Sequence, residues 1–408
     1  MTSLEEGINK MKSFTLASYA TYFLAGLVVT TLGSVMPQLL DFYNLSYTKG
    51  GQLVFIGSIG FLLGVPISTF LLYKYNEKTI LSLGAFLIAM AQIGFFFLPS
   101  FYWLFVLNFI NNTGAAIFET IVATLIMEVF VGRRAVMMSY LEVSFGLGAL
   151  VMPIIASGFI ALDHWRYSFL ITSLTALVMM IFWSVIKYSK TDIDDSKARD
   201  AAAPSPVKMS TSVKWVVLSL FVFMICLYTG VEGSLNNFLS SIFINYIHAI
   251  PYIASLSIGA FWVTMVIGRM ATGFIIRKVT YDHYLLWSMS ITVLCFIAFI
   301  LLKNQLIGFG LILCLGFTMS GVYSITMVYA NHSFPGFSRQ ITSAITAFAG
   351  IGNAVFPALV GLTMDALNIQ MALWLIVIFS TVYIIGLISI SRLHRRKKQG
   401  HLQAKTGA

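Results

Sequence analysis

"GLGALVMP" (146–153) and "GIGNAVFP" (350–357) carry one spacing, G-x-G-x-x-x-x-P, about 200 residues apart. Two further echoes keep that offset and order: "GSVMPQLL" from Gly33 returns as "GSLNNFLS" from Gly233, and "SIG" at 58–60 returns at 257–259. A single echo in an apolar chain carries little weight. Three in register, on either side of one polar segment, mark a duplicated unit of the kind that many transport proteins contain. The polar segment is "KYSKTDIDDSKARDAAAPSPVKMSTSVK" (187–214), which is charged, rich in Ala, Pro and Ser, and lacks a hydrophobic period, so it reads as a flexible linker.

The duplicated unit is a set of membrane helices. Of the 408 residues, 58% are hydrophobic and only 10% charged, against about a quarter charged in soluble domains. A hydrocarbon core of about 30 Å needs roughly 20 apolar residues per helix. The chain supplies such stretches at about 14–39, 50–73, 79–98, 102–130, 135–161, 167–187, 213–243, 251–276, 284–302, 305–330, 338–364 and 370–391. The expected fold is therefore an all-α membrane protein, with twelve transmembrane helices in two six-helix bundles. The first bundle spans 1–187, a linker spans 188–212, and the second bundle with a basic tail spans 213–408. "MTSLEEGINKMKS" is polar and the apolar run behind it is long enough to span, so an uncleaved first helix is expected. One set of loops carries only Lys49, Arg166 and Lys303, whereas "RLHRRKK" (392–398) and nearly all other basic residues fall on the opposite side. The positive-inside rule then places both termini and the linker in the cytoplasm of a multi-pass protein of the cell membrane. The basic tail, and the net charge of +10, read as orientation and contact with anionic lipid rather than nucleic-acid binding. Cys226, Cys295 and Cys314 lie in apolar runs without metal-ligand spacing and read as packing residues.

The repeat also isolates residues that packing does not require. By its offsets, Glu119 corresponds to Tyr323, Glu142 to Thr346, and Glu232 to Leu32. Glycines and prolines recur; the acids do not. An ionisable group costs roughly 2.5–3.5 kcal/mol at a helix centre, so each such acid needs a reason to be there. Asn108, Asn112 and Glu119 line one face of the fourth span, with Glu119 near mid-membrane, as a proton site or as a neutral carboxyl bonded between helices. Glu142 sits at comparable depth on the next, antiparallel span. Two carboxyls at one level need not both ionise, which suits the pair to carrying a proton. Glu128, one turn from Arg133 and Arg134, reads as an interfacial ion pair. On the seventh span Tyr228, Glu232 and Asn236 share a face, with Asn237 beside it. Hydroxyl, carboxylate and amide together match a polyhydroxylated ligand, although interhelical bonding is the alternative. Trp262 shares a stripe with Arg269, a gate or snorkelling cation, and its indole could stack on a sugar ring. Thr346, Gly350 and Asn353 form a last stripe, in which Gly350 and Gly352 serve close packing.

No Walker loop, nucleotide-binding glycine motif or metal cluster occurs, and the linker is too short for an ATPase domain. An enzyme is not expected, nor a cofactor or metal. Energy must come from an ion gradient or from the substrate's own gradient.

"SYLEVSFGLGAL" (139–150), "LYTGVEGSLNNFLSSIFI" (227–244) and "FWVTMVIGRMATGFIIRK" (261–278) resemble the fucose-permease-like branch of the major facilitator superfamily, in particular its bacillar glucose/mannose:proton symporters. The resemblance runs over nearly the whole chain. It implies two bundles rocking about a central site, a sugar and a proton as the transported partners, and action as a monomer. "FETIVA" is similar to the branch's "ETxxN" segment, which implies a proton-coupled sugar role for Glu119, and "GVE" places Glu232 in the cavity-lining segment. The chain departs from the branch at Gly33, where fucose permeases carry an aspartate, and "YKYNEKT" lacks the Asp-Arg pair of the superfamily's gating motif. Drug antiporters of the superfamily usually carry a Gly-Pro dipeptide where Gly148 and Pro153 are separated here. The expected function is proton-coupled uptake of a hexose; the alternative is a proton-driven exporter of drugs or other amphiphiles.

Overall fold

Inside hydrocarbon no water is available to backbone amides, so a spanning segment must satisfy its own N–H and C=O groups, and the apolar stretches become helices. The computed structural model describes residues 2–130, 134–186, 211–334 and 338–406. Its helices are α1 (Thr2–Ser34), α2 (Met36–Phe42), α3 (Tyr47–Leu72), α4 (Glu77–Phe97), α5 (Phe101–Val129), α6 (Arg134–Ala161), α7 (Tyr167–Val185), α8 (Thr211–Asn245), α9 (Pro251–Ile275), α10 (Tyr281–Leu302), α11 (Gln305–Met319), α12 (Val322–Ser333), α13 (Ser338–Ala366) and α14 (Ile369–Thr406). Twelve segments among the described residues are long and apolar enough to cross a membrane, one for each expected span. With an even number of crossings, both termini lie at one end of the bundle. Most of the linker, and Arg133, lie outside the described residues.

Two expected helices are broken. The first span stops at Ser34 and restarts as α2, where Pro37 falls in the first turn and needs no N–H partner. The tenth divides into α11 and α12 at Ser320–Gly321. A break leaves carbonyls without helical partners, and the Tyr228 hydroxyl donates to the Met319 carbonyl at 2.9 Å. A Cβ on Gly321 would lie 2.2 Å from the Tyr284 hydroxyl, so only glycine lets this joint pack against α9 and α10.

The repeat read from the glycines is visible in what they touch. In each half, the second glycine of G-x-G meets the backbone of that half's own first span: a Cβ on Gly148 would lie 1.9 Å from the Phe23 carbonyl oxygen, and one on Gly352 2.1 Å from that of Cys226. The first glycine faces the other half, Gly146 against Val266 and Gly350 against Leu62. The two six-helix bundles, α1–α7 and α8–α14, thus meet along two related seams, α3 with α13 and α6 with α9. Because the close neighbour of Gly148 is backbone, no rotamer change relieves a side chain there. Gly148→Val should cost about 3 kcal/mol or more through overpacking, seen as loss of monodisperse protein in size-exclusion chromatography, whereas Gly158→Ala, with nothing within 4 Å of its Cβ position, should elute and melt like the parent.

Hydrogen bonds that join the halves include Tyr47 and Thr48 with Asp365 and Asn245 with Tyr47, at the end opposite the termini, Ser58 with Asn353, Ser157 with Tyr252 and Ser255 with Pro153 along the seams, and Arg269 with Glu142. Arg269–Glu142 lies toward the termini. The halves are closed against each other at the far end.

Candidate functional site

The acids that break the repeat converge where the two halves meet. Glu119 lies ten residues from the end of α5 and Glu142 eight from the start of α6, depths of about 15 and 12 Å at 1.5 Å per residue. They are within electrostatic reach of each other. Glu142 is half-exposed and accepts from Arg269 Nη1 of the other half at 2.9 Å. Glu119 makes no hydrogen bond or ion pair through its carboxyl to a described residue, while the Tyr22 hydroxyl donates to its backbone carbonyl at 3.1 Å. The carboxyl pair of the first half therefore divides into one acid with a cation and one without.

The second half answers with neutral groups. Tyr323 and Thr346, the repeat counterparts of Glu119 and Glu142, lie beside each other and near all three acids of the site. The duplication keeps the neighbouring pair of side chains and changes its chemistry, carboxyl against carboxyl in one half, hydroxyl against hydroxyl in the other. Glu232 reaches Tyr228 and lies in the field of Arg269. The Tyr228 hydroxyl has one proton, already directed at Met319, so it can serve Glu232 as donor only by releasing the break in the tenth span. Arg269 also stands over the ring of Trp262, 5.4 Å from its centroid.

Trp262 is 1% exposed and its indole N–H donates to Asn236 Oδ1 at 2.9 Å. With Phe145 against it at 5.6 Å between centroids and Arg269 over its face, the indole is open to a ring only after one of these neighbours moves. Asn236 keeps its Nδ2 donors. Asn236→Ala would leave the buried indole N–H unpaired, at a cost of about 1–3 kcal/mol; a lower melting temperature, with a smaller change in Asn236→Asp, which keeps an acceptor, is the expected outcome of thermal unfolding in detergent.

The remaining residues of the polar stripes make bonds within and between helices. Asn108 Nδ2 donates to the Leu53 carbonyl of α3, Asn112 donates back to Asn108, and both amides fill the space opposite Gly57. They join α5 to α3. Asn237 donates to the Gly233 carbonyl within α8. Asn353 sits against Gly233, where a Cβ would lie 1.9 Å from its Oδ1, and its carbonyl accepts from Ser58. Glu128 lines a depression with Glu77 and Thr124 at the termini-bearing end; the expected partner Arg133 is outside the described residues. Tyr22 and Phe145 were not legible as site residues, since single aromatics in apolar helices carry no pattern.

A site assembled from both halves at the midpoint of twelve helices, with one end closed, has the geometry of a carrier. The family model described as "Major Facilitator Superfamily" matches residues 19–346. The glucose/mannose transporter GlcP of Bacillus subtilis (strain 168) is 30% identical over 387 residues, covering 94% of this chain and 95% of the relative. Among solved structures, a D-xylose-proton symporter aligns with TM-score 0.76 at 14% identity, covering 92% of this chain and 97% of that one. A bacterial homologue of the human lysosomal transporter Spinster, crystallised inward-facing and occupied, aligns with TM-score 0.75 at 13% identity, covering 93% of this chain and 96% of that one. The chain belongs to the major facilitator superfamily, a family of transporters and not of enzymes.

Proposed function

We propose that the protein carries a hexose such as glucose or mannose into the cell together with a proton, by alternating access of the central site. The observation that carries this reading is the set of three carboxyls, Glu119, Glu142 and Glu232, at the meeting of the halves, with Arg269 bonded to Glu142 and in reach of Glu232. Glu119, without a cation of its own, is the proton carrier. Glu142 is held by Arg269. Glu232, Tyr228, the Asn236 amide, Tyr323 and Thr346 offer donors and acceptors on the other half, the chemistry that a sugar's hydroxyls match. The similarity to a glucose/mannose transporter supports the hexose. The termini and the linker, 188–212, lie in the cytoplasm, because Lys49, Arg166 and Lys303 are few against the basic residues at the other end. The first bundle, 1–187, moves against the second, 213–408, as a monomer in the cell membrane.

Uptake of labelled glucose into transporter-deficient cells, with and without a protonophore, tests the proposal. Accumulation that collapses with the protonophore supports it. Absence of glucose uptake, together with resistance to a lipophilic cation, would establish the exporter instead.

A further inference from the structure

The closed end of the bundle is held by a helix terminus of one half and a carboxylate of the other. α3 begins at Tyr47, and its N-cap residue Ser46 makes no capping bond to its own helix. The first amides of α3 must find acceptors elsewhere. Asp365, in the last turn of α13, supplies them: Oδ1 accepts from the Tyr47 N–H at 3.0 Å, and Oδ2 accepts from the Thr48 N–H at 2.5 Å and the Thr48 hydroxyl at 2.6 Å. The Ser46 hydroxyl reaches the same carboxylate. Asn245 Nδ2 donates to the Tyr47 hydroxyl at 2.6 Å. Gly361, one turn earlier on the same face of α13, permits this approach, since a Cβ there would lie 2.6 Å from the Tyr47 carbonyl oxygen.

The equivalent end of the other seam is built differently. By the offset that pairs Gly146 with Gly350, Asp365 corresponds to Ala161. There α9 begins with Pro251, which has no N–H to offer, and the nearby bond between the halves is the Ser157 hydroxyl donating to the Tyr252 carbonyl at 2.8 Å. An acid that breaks the repeat is not a packing residue that both halves need.

We propose that Asp365 is the latch of this end: a helix cap delivered from the opposite half, made when the end closes and broken when it opens. Its negative charge sits at the positive end of α3, and its partners are backbone groups whose position is fixed by the helix. Asp365 is exposed. On opening, water can replace its partners, which suits a contact that must form and break in every cycle.

The test is the distance between the halves at this end, measured by pulsed electron spin resonance in detergent. Spin labels replace Leu162 and Leu306, which are 68% and 82% exposed there, in a background without Cys226, Cys295 and Cys314. The parent should show mainly the short distance. Asp365→Ala should raise the open-to-closed ratio roughly tenfold, the scale of a modest population shift. Asp365→Asn, which keeps an acceptor and loses the charge, should fall between, and Gly361→Val should act like Asp365→Ala. Ser157→Ala should do less. A parent dominated by the long distance, an Asp365→Ala distribution superimposable on the parent's, or an equal shift in Ser157→Ala overturns the latch. Because no sugar or proton gradient is used, the outcome is separate from that of the transport assay.

Discussion

Glu119→Gln should abolish accumulation of sugar against its gradient while leaving exchange of labelled for unlabelled sugar intact. Glutamine has nearly the size of glutamate and resembles its protonated form, so the variant is fixed in the state that accompanies the loaded carrier. Exchange needs only that state to reorient. Accumulation also needs the proton to leave and the empty carrier to return, and glutamine has no proton to give. One charge moved through 100 mV is worth about 2.3 kcal/mol, which corresponds to roughly a 50-fold concentration ratio. In proteoliposomes with an imposed potential and pH gradient, the parent should approach such a ratio and Glu119→Gln should stop near one. The rate of exchange by the parent should depend on pH, and that by the variant should not. Full accumulation by well-folded Glu119→Gln would remove Glu119 from the proton path.

The resemblance of "FETIVA" singles out Glu119, although by position the two acids are alike: each breaks the repeat, and each falls at mid-depth in an apolar helix. What separates them is Arg269, which lies more than a hundred residues away in the other half and bonds Glu142 alone. Long-range pairing of this kind leaves no periodic trace. Features with a period or a repeat were legible: the twelve spans, the six-plus-six division and the packing role of Gly350 and Gly352. Helix faces were legible as polar stripes but not as to partner, because a stripe that lines a cavity and one that lines a neighbouring helix have the same spacing. Asn108 and Asn112 share a face with Glu119, yet they bond α3. The departure at Gly33 has a geometric account of the same origin. A Cβ on Gly33 would lie 1.8 Å from the Asn236 carbonyl oxygen, so a side chain there is incompatible with α1 and α8 lying this close.

Arg269→Gln should lower sugar transport roughly 100-fold, and a second substitution, Glu142→Gln, should recover much of that loss. The loss does not come from stability. The ion pair is partly exposed, Glu142 at 49%, and such pairs contribute about 0–1 kcal/mol, so the melting temperature of Arg269→Gln should stay within a few degrees of the parent's. The effect is on charge balance during reorientation. Arg269 is bonded to Glu142 and in the field of Glu232, and Glu119 lies near Glu142. Without it, Glu142 and Glu232 face each other with no counter-ion, and the carrier must cross with surplus negative charge or with extra protons. Either raises the barrier of a step that takes place in a low-dielectric slab, where an uncompensated charge is costly. Removing the Glu142 charge as well returns the net charge of the cluster to that of the parent, so the double variant should outperform Arg269→Gln alone, although it lacks the bond between α6 and α9. A purely mechanical tie between the halves makes the opposite forecast: Arg269→Gln, Glu142→Gln and the double variant would be equally impaired. Initial rates of exchange and of proton-driven uptake for the three proteins, normalised to the amount of monodisperse carrier, decide between charge compensation and tether.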